Sequence, residues 1–396
     1  MSQEFGQDPS MSATPGPAPV PLSTGKLAIR EITAEILDLP IRRPPRFASH
    51  TMHHASHLIV RVRTEGGLEG IGEGTTPGGP WWGGESVETM KAIIDGYLAP
   101  TLVGEDATRI GRALERMDRA AARNAFAKAA VELACFDLLG KSLGVPVCNL
   151  LGGPLRESLP VLWTLAAGDA GPDIAEAEEK LDNGLHARFK VKVGADMDAE
   201  LKRLARISEA LGDRARLTID PNGSWDELEA TRLLPRLAEV GISLLEQPLP
   251  YWNLDGMARL TATQLVPIMA DECMRSVHDA LAVVERRAAH VFSLKVLKSG
   301  GITRTQKTAT VAEAAGIRCF GGTSLETSVG TAAGMHLFSA VPNLTEGCEL
   351  FGPLFLADDI VEEPLEYRDF RVWRPRRPGL GVSLDEEKVD HYRRAS

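Results

Sequence analysis

Between residues 159 and 350 the chain repeats one pattern: a short apolar run, then an amphipathic stretch of ten to fifteen residues. The runs are residues 159–164, 189–193, 216–220, 243–246, 267–270, 291–296, 317–320 and 344–350. Short apolar runs read as buried strands, and the longer stretches carry helical spacing. Strands alternating with helices predict a parallel sheet. At this length and regularity a closed β/α barrel is favoured over an open, doubly wound sheet. No clear barrel helix follows the last run.

The remaining chain has a different texture. Residues 27–39 and 58–64 alternate as strands do, and Gly66-Gly67 follows as a turn. Residues 86–145 read as Ala-rich helices that Gly144 and Pro146 bring to an end. Residues 27–155 are therefore expected to form an α+β unit, and 156–352 the barrel. Residues 1–26, rich in Pro, Ala, Gly and Ser, are expected to be a disordered tail, with Met11 a candidate for the natural start. Residues 353–396 mix Pro, Gly and charge, and are expected to return to the first unit.

Composition narrows the partners. A net charge of −10 argues against nucleic acid or an anionic membrane, which select for basic patches. Arg374, Arg376 and Arg377 read as a solvated surface. The five cysteines are odd in number and contain no CxxC, so a reducing cytoplasm fits best. There is no run of about 18 apolar residues, and the N-terminus lacks the apolar segment of a signal peptide.

Barrel enzymes place their chemistry at the C-terminal ends of the strands. Lys192, Asp220, Glu246, Asp271 and Lys295 lie at or near the ends of successive runs, at intervals of 28, 26, 25 and 24 residues. Each interval is about one β/α unit, so the five should face one mouth. Asp220, Glu246 and Asp271 would be converging carboxylates that repel unless a cation joins them. Oxygen ligands without Cys or His select Mg²⁺ or Mn²⁺. The competing reading is that each carboxylate caps the next helix.

Lys190 and Lys192 are two apart in Phe189-Lys190-Val191-Lys192-Val193, which puts both on one face of a strand. Buried together they require facing anions, and each is expected to lower the other's pKa, which suits proton transfer. The alternative is an exposed strand with solvated lysines. Lys295 would stand across the mouth, so a planar carbon between them could be protonated from either side. Gly321-Gly322-Thr323-Ser324, ahead of Glu326, also admits a phosphate-binding reading, as in phosphate-sugar barrel enzymes.

Lesser signals carry less. His50, His53, His54 and His57 are spaced too irregularly for a metal site and suit a loop over the active site. Trp81-Trp82 reads as an apolar lid or as packing between domains. Gly70, Gly72 and Gly74 lack the following helix of a dinucleotide fingerprint. Neither HExxH nor GxSxG occurs.

Taken together, these motifs resemble the enolase superfamily in its muconate lactonizing branch. The matching segments are Lys190-Val191-Lys192, Asp220-Pro221-Asn222, Glu246-Gln247-Pro248, Asp271-Glu272, Lys295 with Lys298-Ser299-Gly300-Gly301, and Gly321-Gly322-Thr323-Ser324-Leu325-Glu326. Residues 70–76, 83–86, 159–168, 349–354, 367–370 and 378–387 extend the resemblance over nearly everything after the tail.

The resemblance implies a (β/α)7β modified TIM barrel, of α/β class, under an α+β capping domain. It implies Asp220, Glu246 and Asp271 as ligands of Mn²⁺ or Mg²⁺ and Lys192 as the acid/base. Lys190 would be its electrostatic partner, Lys295 the lysine on the opposite face, and Glu326 a neighbour of the substrate carboxylates. His53 and His54 would belong to the cap's specificity loop, with Asn222 and Thr164 also at the substrate. The implied substrate is a small dicarboxylate, cis,cis-muconate or a chloromuconate, closed to a lactone by a cytoplasmic homo-oligomer of up to eight chains. Small departures occur at Pro221, Cys273, Val296-Leu297 and Ser328.

Other activities of the branch are racemisation of N-acylamino acids, o-succinylbenzoate synthesis and dipeptide epimerisation. The last is disfavoured because Asn343-Leu344-Thr345-Glu346-Gly347 stands where an Asp-x-Asp pair is expected. A non-catalytic metabolite-binding protein would not need opposed proton donors.

Overall fold

The computed structural model describes residues 26–42, 55–193 and 196–395. Its first part is an antiparallel sheet of β1 (Ile29–Leu39), β2 (Ala55–Thr64) and β3 (Glu69–Thr75), with β2 in the centre. The helix Ala125–Leu143 lies across it, buried on nearly all sides. Its approach is close enough to explain the spaced glycines. A Cβ on Gly70 would lie 2.1 Å from the Ala134 carbonyl oxygen, and one on Gly72 2.1 Å from that of Ala130. Those glycines let a helix backbone rest directly on a strand. They also dilute the alternation, so β3 was not expected as a strand.

The expected barrel is present. The chain continues through β4 (Ser158–Pro160), β5 (Trp163–Leu165), β6 (Arg188–Lys192), β7 (Arg216–Asp220) and β8 (Leu244–Glu246). It goes on through β9 (Ile268–Ala270), β10 (Val291–Leu294), β11 (Arg318–Gly321) and β12 (Leu344–Cys348). Strands β5 to β12 pair in sequence order as parallel neighbours, with a helix in each of the seven connections. The ends of the sheet meet where Val161 bridges to Cys348 and Leu162 N–H donates to the Cys348 carbonyl at 2.8 Å. Only the four-residue turn Gly352–Phe355 follows β12 directly. The architecture is the (β/α)7β barrel with a separate α+β layer.

The first apolar run serves two sheets rather than one. Its start, β4, pairs with β14 (Arg371–Trp373), which pairs in turn with β13 (Tyr367–Arg368); only its end, β5, enters the barrel. The chain then crosses back to the first sheet. Arg393 bridges to Leu37, Arg61 forks onto Glu386 at 2.8 and 2.9 Å, and Arg394 reaches Asp38 at 2.6 Å.

Three buried polar joints fix the first layer to the barrel. Glu73 accepts from Thr327 N–H at 2.9 Å on Oε1 and from Gly330 N–H at 2.7 Å on Oε2, and His57 Nδ1 lies 2.7 Å from Oε1. Trp82 is tied to Glu272 and Arg275. Glu132, on the long helix, accepts from Thr303 N–H at 3.2 Å. Its carboxylate fills the place of a side chain at Gly301, where φ is +114° and a Cβ would lie 1.8 Å from Oε2.

Burial lifts the Glu132 carboxyl from 4.5 to about 7, against the hydrogen bonds from Thr303. The folded chain therefore keeps a proton that the unfolded chain loses as pH rises above 4.5. Stability from this group is complete below that value and lost as pH climbs to about 7, a change of about 3 kcal/mol. Glu132→Gln should remove that component. Urea unfolding of variant and parent from pH 5 to 8 should show a shallower decline in the variant; parallel declines would refute the assignment.

Candidate active site

The C-terminal ends of the barrel strands gather the charged residues read from the sequence. Lys190 and Lys192 share one face of β6, with Lys192 paired in register to Asp220 at the end of β7. Lys190 is 3% exposed, and its Nζ lies 2.7 Å from Glu246 and 3.6 Å from Asp220, in contact also with Glu349. Lys192 Nζ donates to Asp220 Oδ2 at 2.6 Å and to Asn222 Oδ1 at 2.8 Å.

The expected mutual lowering of the two lysines is overturned for Lys190. Burial works to lower its ammonium, but Glu246, Glu349 and Asp220 raise it well above the usual lysine range. Three close carboxylates outweigh one neighbouring cation. Lys190 is thus a fixed positive charge; both lysines line the cavity, and Lys192 is the one with a partly open side chain.

Across the barrel, Lys295 follows β10, four strands from β6 in a ring of eight, which is the opposite side. Its Nζ pairs with Asp271 at 2.7 Å and lies 4.5 Å from the centre of the Trp82 ring. Lys298 approaches Asp271 from behind, donating to Oδ1 at 2.7 Å, to its carbonyl at 2.8 Å and to the Ser293 carbonyl at 3.1 Å. Burial would raise the Asp271 carboxyl, but Lys295 and Lys298 hold it below the ordinary range.

Local backbone geometry aims these groups. Gln247, with φ of +33°, accepts from Asp271 N–H at 2.9 Å and from Cys273 N–H at 3.2 Å, tying the end of β8 to that of β9. Asn222, with φ of +50°, donates to Glu272 at 3.0 Å. A Cβ on Gly322 would lie 2.6 Å from Lys295 Cγ, so that glycine makes room for the lysine, a reason unconnected with phosphate.

The fit of a cation rests on the carboxylates. Asp220, Glu246 and Asp271 are all buried and repel one another. Burial, then the pull of Lys190 against repulsion from Asp220, Glu349 and Asp271, leaves the Glu246 carboxyl raised well above its ordinary value. Glu246 Oε2 pairs with Lys190, and Oε1 is buried without a hydrogen bond among the described residues. An unsatisfied hard oxygen beside two further carboxylates suits a divalent ion. Among the described residues, no three acidic, His or Cys side chains are yet drawn together as a cage. Lysine ammoniums stand between them.

The cavity above these residues is lined by Lys190, Lys192, Asp220, Asn222, Lys295 and Thr164, with Trp82 and Pro77 reaching in from the first layer. Glu326 is not on the wall; it sits behind, accepting from Ser324 N–H at 2.9 Å and from the Thr323 hydroxyl, while Thr323 and Leu325 face the cavity. His53 and His54, with His50, lie outside the described residues. His57 is buried in β2 against Glu73, not in a loop. Pro221, Cys273, Val296, Leu297 and Ser328, where the chain departs from the resemblance, are all off the cavity wall.

Three participants had not been assigned roles. Glu349 lies one residue beyond β12 and would have emerged from the same strand-end rule that found the others. Lys298 and Glu272 stood inside quoted motifs, but nothing in their spacing showed that they would face Asp271 and Trp82.

Comparison with known proteins agrees with this geometry. Residues 31–152 match the family described as "Mandelate racemase / muconate lactonizing enzyme, N-terminal domain", and residues 173–388 match "Enolase C-terminal domain-like". The chain belongs to the mandelate racemase / muconate lactonizing enzyme family of the enolase superfamily. Chloromuconate cycloisomerase CbnB of Cupriavidus necator is 46% identical over 93% of this chain and 100% of its own. Muconate cycloisomerase 1 of Pseudomonas putida is 47% identical over 92% and 98%. The crystal structure of muconate lactonizing enzyme from Pseudomonas fluorescens complexed with muconolactone superposes with a TM-score of 0.92, at 46% identity over 93% and 100% of the two chains. These relatives are isomerases, and the chain is an enzyme of their superfamily.

Breaking one arm of a buried ion pair typically costs about 3–5 kcal/mol. Lys298→Met leaves Asp271 with one ammonium in place of two, so the unfolding free energy should fall by about 3 kcal/mol, read as a lower denaturant midpoint. An unchanged midpoint would show that Lys295 alone suffices.

Proposed function

We propose that the chain is a muconate cycloisomerase that converts cis,cis-muconate to muconolactone. The observation that carries this is the placement of Lys192 on the cavity wall, held by Asp220 and Asn222, directly across the barrel from Lys295. The full-length likeness to named cycloisomerases supports the choice of substrate. A chlorinated muconate is the second reading, favoured by relatives named chloromuconate cycloisomerase at 46 and 47% identity.

Cycloisomerases of this superfamily depend on a divalent metal. Asp220, Glu246 and Asp271 would hold it, as Mn²⁺ or Mg²⁺, given their all-oxygen donor set. Bound there, it would supply Lewis-acid stabilisation of negative charge developing on a substrate carboxylate. At the mouth, Asp220, Glu246, Asp271, Glu272 and Glu349 outnumber Lys190, Lys192, Lys295 and Lys298 by one, an excess of carboxylate that favours a bound cation.

The protein's own groups then act in sequence. Lys190 holds a fixed positive charge beside the reacting dicarboxylate. Thr164, Asn222, His53 and His54 are the residues proposed to bind it, and Trp82 excludes water from the Lys295 side. One carboxylate oxygen adds to the conjugated diene, forming the ring C–O bond, and the displaced electrons pass to the carbon next to the second carboxylate. Lys192 delivers a proton to that carbon and recovers one from solvent. No atom is lost and nothing is oxidised. Glu326, through Thr323 and Ser324, would support the wall near the substrate carboxylates.

The domain division that goes with this reading is a tail at 1–26, a cap at 27–155, the barrel at 156–352 and a returning segment at 353–396. Five buried free cysteines suit a reducing cytoplasm, and among the described residues no helix is long and apolar enough to cross a membrane. A homo-oligomer of up to eight chains completes the proposal.

With Mn²⁺, the protein should consume the absorbance of cis,cis-muconate, and NMR of the product formed in D₂O should show a lactone with one deuterium. No turnover of muconate or any chloromuconate would rule out the substrate. Lys192→Ala should lower kcat by about 10²-fold or more with the circular dichroism spectrum retained. Full activity in that variant would move the proton donor to Lys295.

A further inference from the structure

The opposite end of the barrel holds a second concentration of charge. Arg188 begins β6, Arg216 begins β7 directly beside it in register, and Arg318 begins β11. Their side chains border a recess of about 130 Å³, floored by Leu162, Leu244 and Phe320. That is room for several waters or one small ion. Among the lining residues only Glu346 carries negative charge. Its carboxylate accepts from Arg318 Nη1 at 2.6 Å, and its backbone carbonyl accepts from Arg188 Nη1 at 2.5 Å. Among the described residues Arg216 makes no ion pair.

Three guanidinium groups against one carboxylate leave a local excess of positive charge, in a chain whose net charge is −10. The excess is felt within the recess. Burial, and next the neighbouring Arg216, hold the half-buried Arg188 guanidinium below its usual range, with Arg371 adding to the repulsion and Glu346 opposing it. A purely structural cluster would pair its cations, as the barrel mouth does. Here the pairing is incomplete, and the uncommitted donors border a space.

We infer that this recess binds a small oxyanion carrying two charges, inorganic phosphate or a short dicarboxylate, between Arg188, Arg216 and Arg318. Guanidinium forks match pairs of oxygens on either ion, and partial burial strengthens each contact over its value in water. Glu346 acts as the internal competitor: it occupies Arg318 when the ion is absent. Thr218 and Ser243 stand on the same wall and give the recess its polar side. The site lies at the far end of the strands from Lys192 and rests on no part of the cycloisomerase reading.

The test is calorimetric titration of the full chain at low ionic strength, with sodium phosphate and separately with succinate. One ion per chain should bind, and Arg216→Gln should weaken it about tenfold, the loss of one charge-assisted pair. Arg216 is exposed and makes no ion pair among the described residues, so this variant should fold as the parent does. Glu346→Gln should tighten binding several-fold by removing the competitor. Lys192→Ala, at the other end, should leave the phosphate affinity unchanged. Phosphate binding sensitive to Arg216 assigns the site to phosphate; succinate binding with that sensitivity and no phosphate binding assigns it to a dicarboxylate. Binding of neither ion, or binding abolished by Lys192→Ala and indifferent to Arg216→Gln, overturns the inference.

Discussion

Compensation of buried charge at the mouth of the barrel is the constraint on which the rest depends. Each ion taken from water costs several kcal/mol unless its partner is close and well oriented. The barrel meets this by setting cations on β6 and after β10 against carboxylates at the ends of β7 and β8 and just beyond β9 and β12. Lys190 is the centre of one half of this network and Asp271 of the other. Neither centre can change its charge without leaving several neighbours unpaired. A change of charge costs least at the margin, where Lys192 is partly open.

The first layer completes what the barrel leaves open. Trp82 lies against Lys295 and donates to Glu272 Oε1, so one side chain both covers a cation and meets an acid. An aromatic face over an ammonium favours the charged lysine and excludes bulk water from it. The joints at Glu73 and Glu132 hold the layer that presents Trp82. They are polar, directional contacts, and they set its position more narrowly than apolar packing would.

Much of this was legible before any coordinates. The repeat of runs and helices identified the barrel, and counting residues between strand ends brought Lys192, Asp220, Glu246, Asp271 and Lys295 to one mouth. What escaped had physical causes. The β3 strand is rich in glycine, so its apolar period is faint, and the glycines answer to the helix above it. Glu326 stands in a recognisable motif, but the turn at Leu325, with φ of +66°, sends its side chain behind the wall. His57 looks like part of a loop in sequence and is buried in a strand by its pairing with Glu73. Against burial, the upward shift of Lys190 comes first from Glu246 and next from Glu349, which is 159 residues away in the chain.

The division of the first apolar run between β4 and β5 bears on how the molecule is made. The barrel's closing seam, at Val161 and Cys348, sits beside a strand whose partner, β14, is reached 213 residues later, at the contact of Ser158 with Arg371. The outer strand of the first sheet waits in the same way for Arg393 and Arg394. A chain made from its N-terminus can assemble most of the ring early, but this clasp is fastened only once β14 has emerged. Until then the rim around β4 offers an unpaired edge, and the interval before fastening is when a chaperone or a second nascent chain would find it.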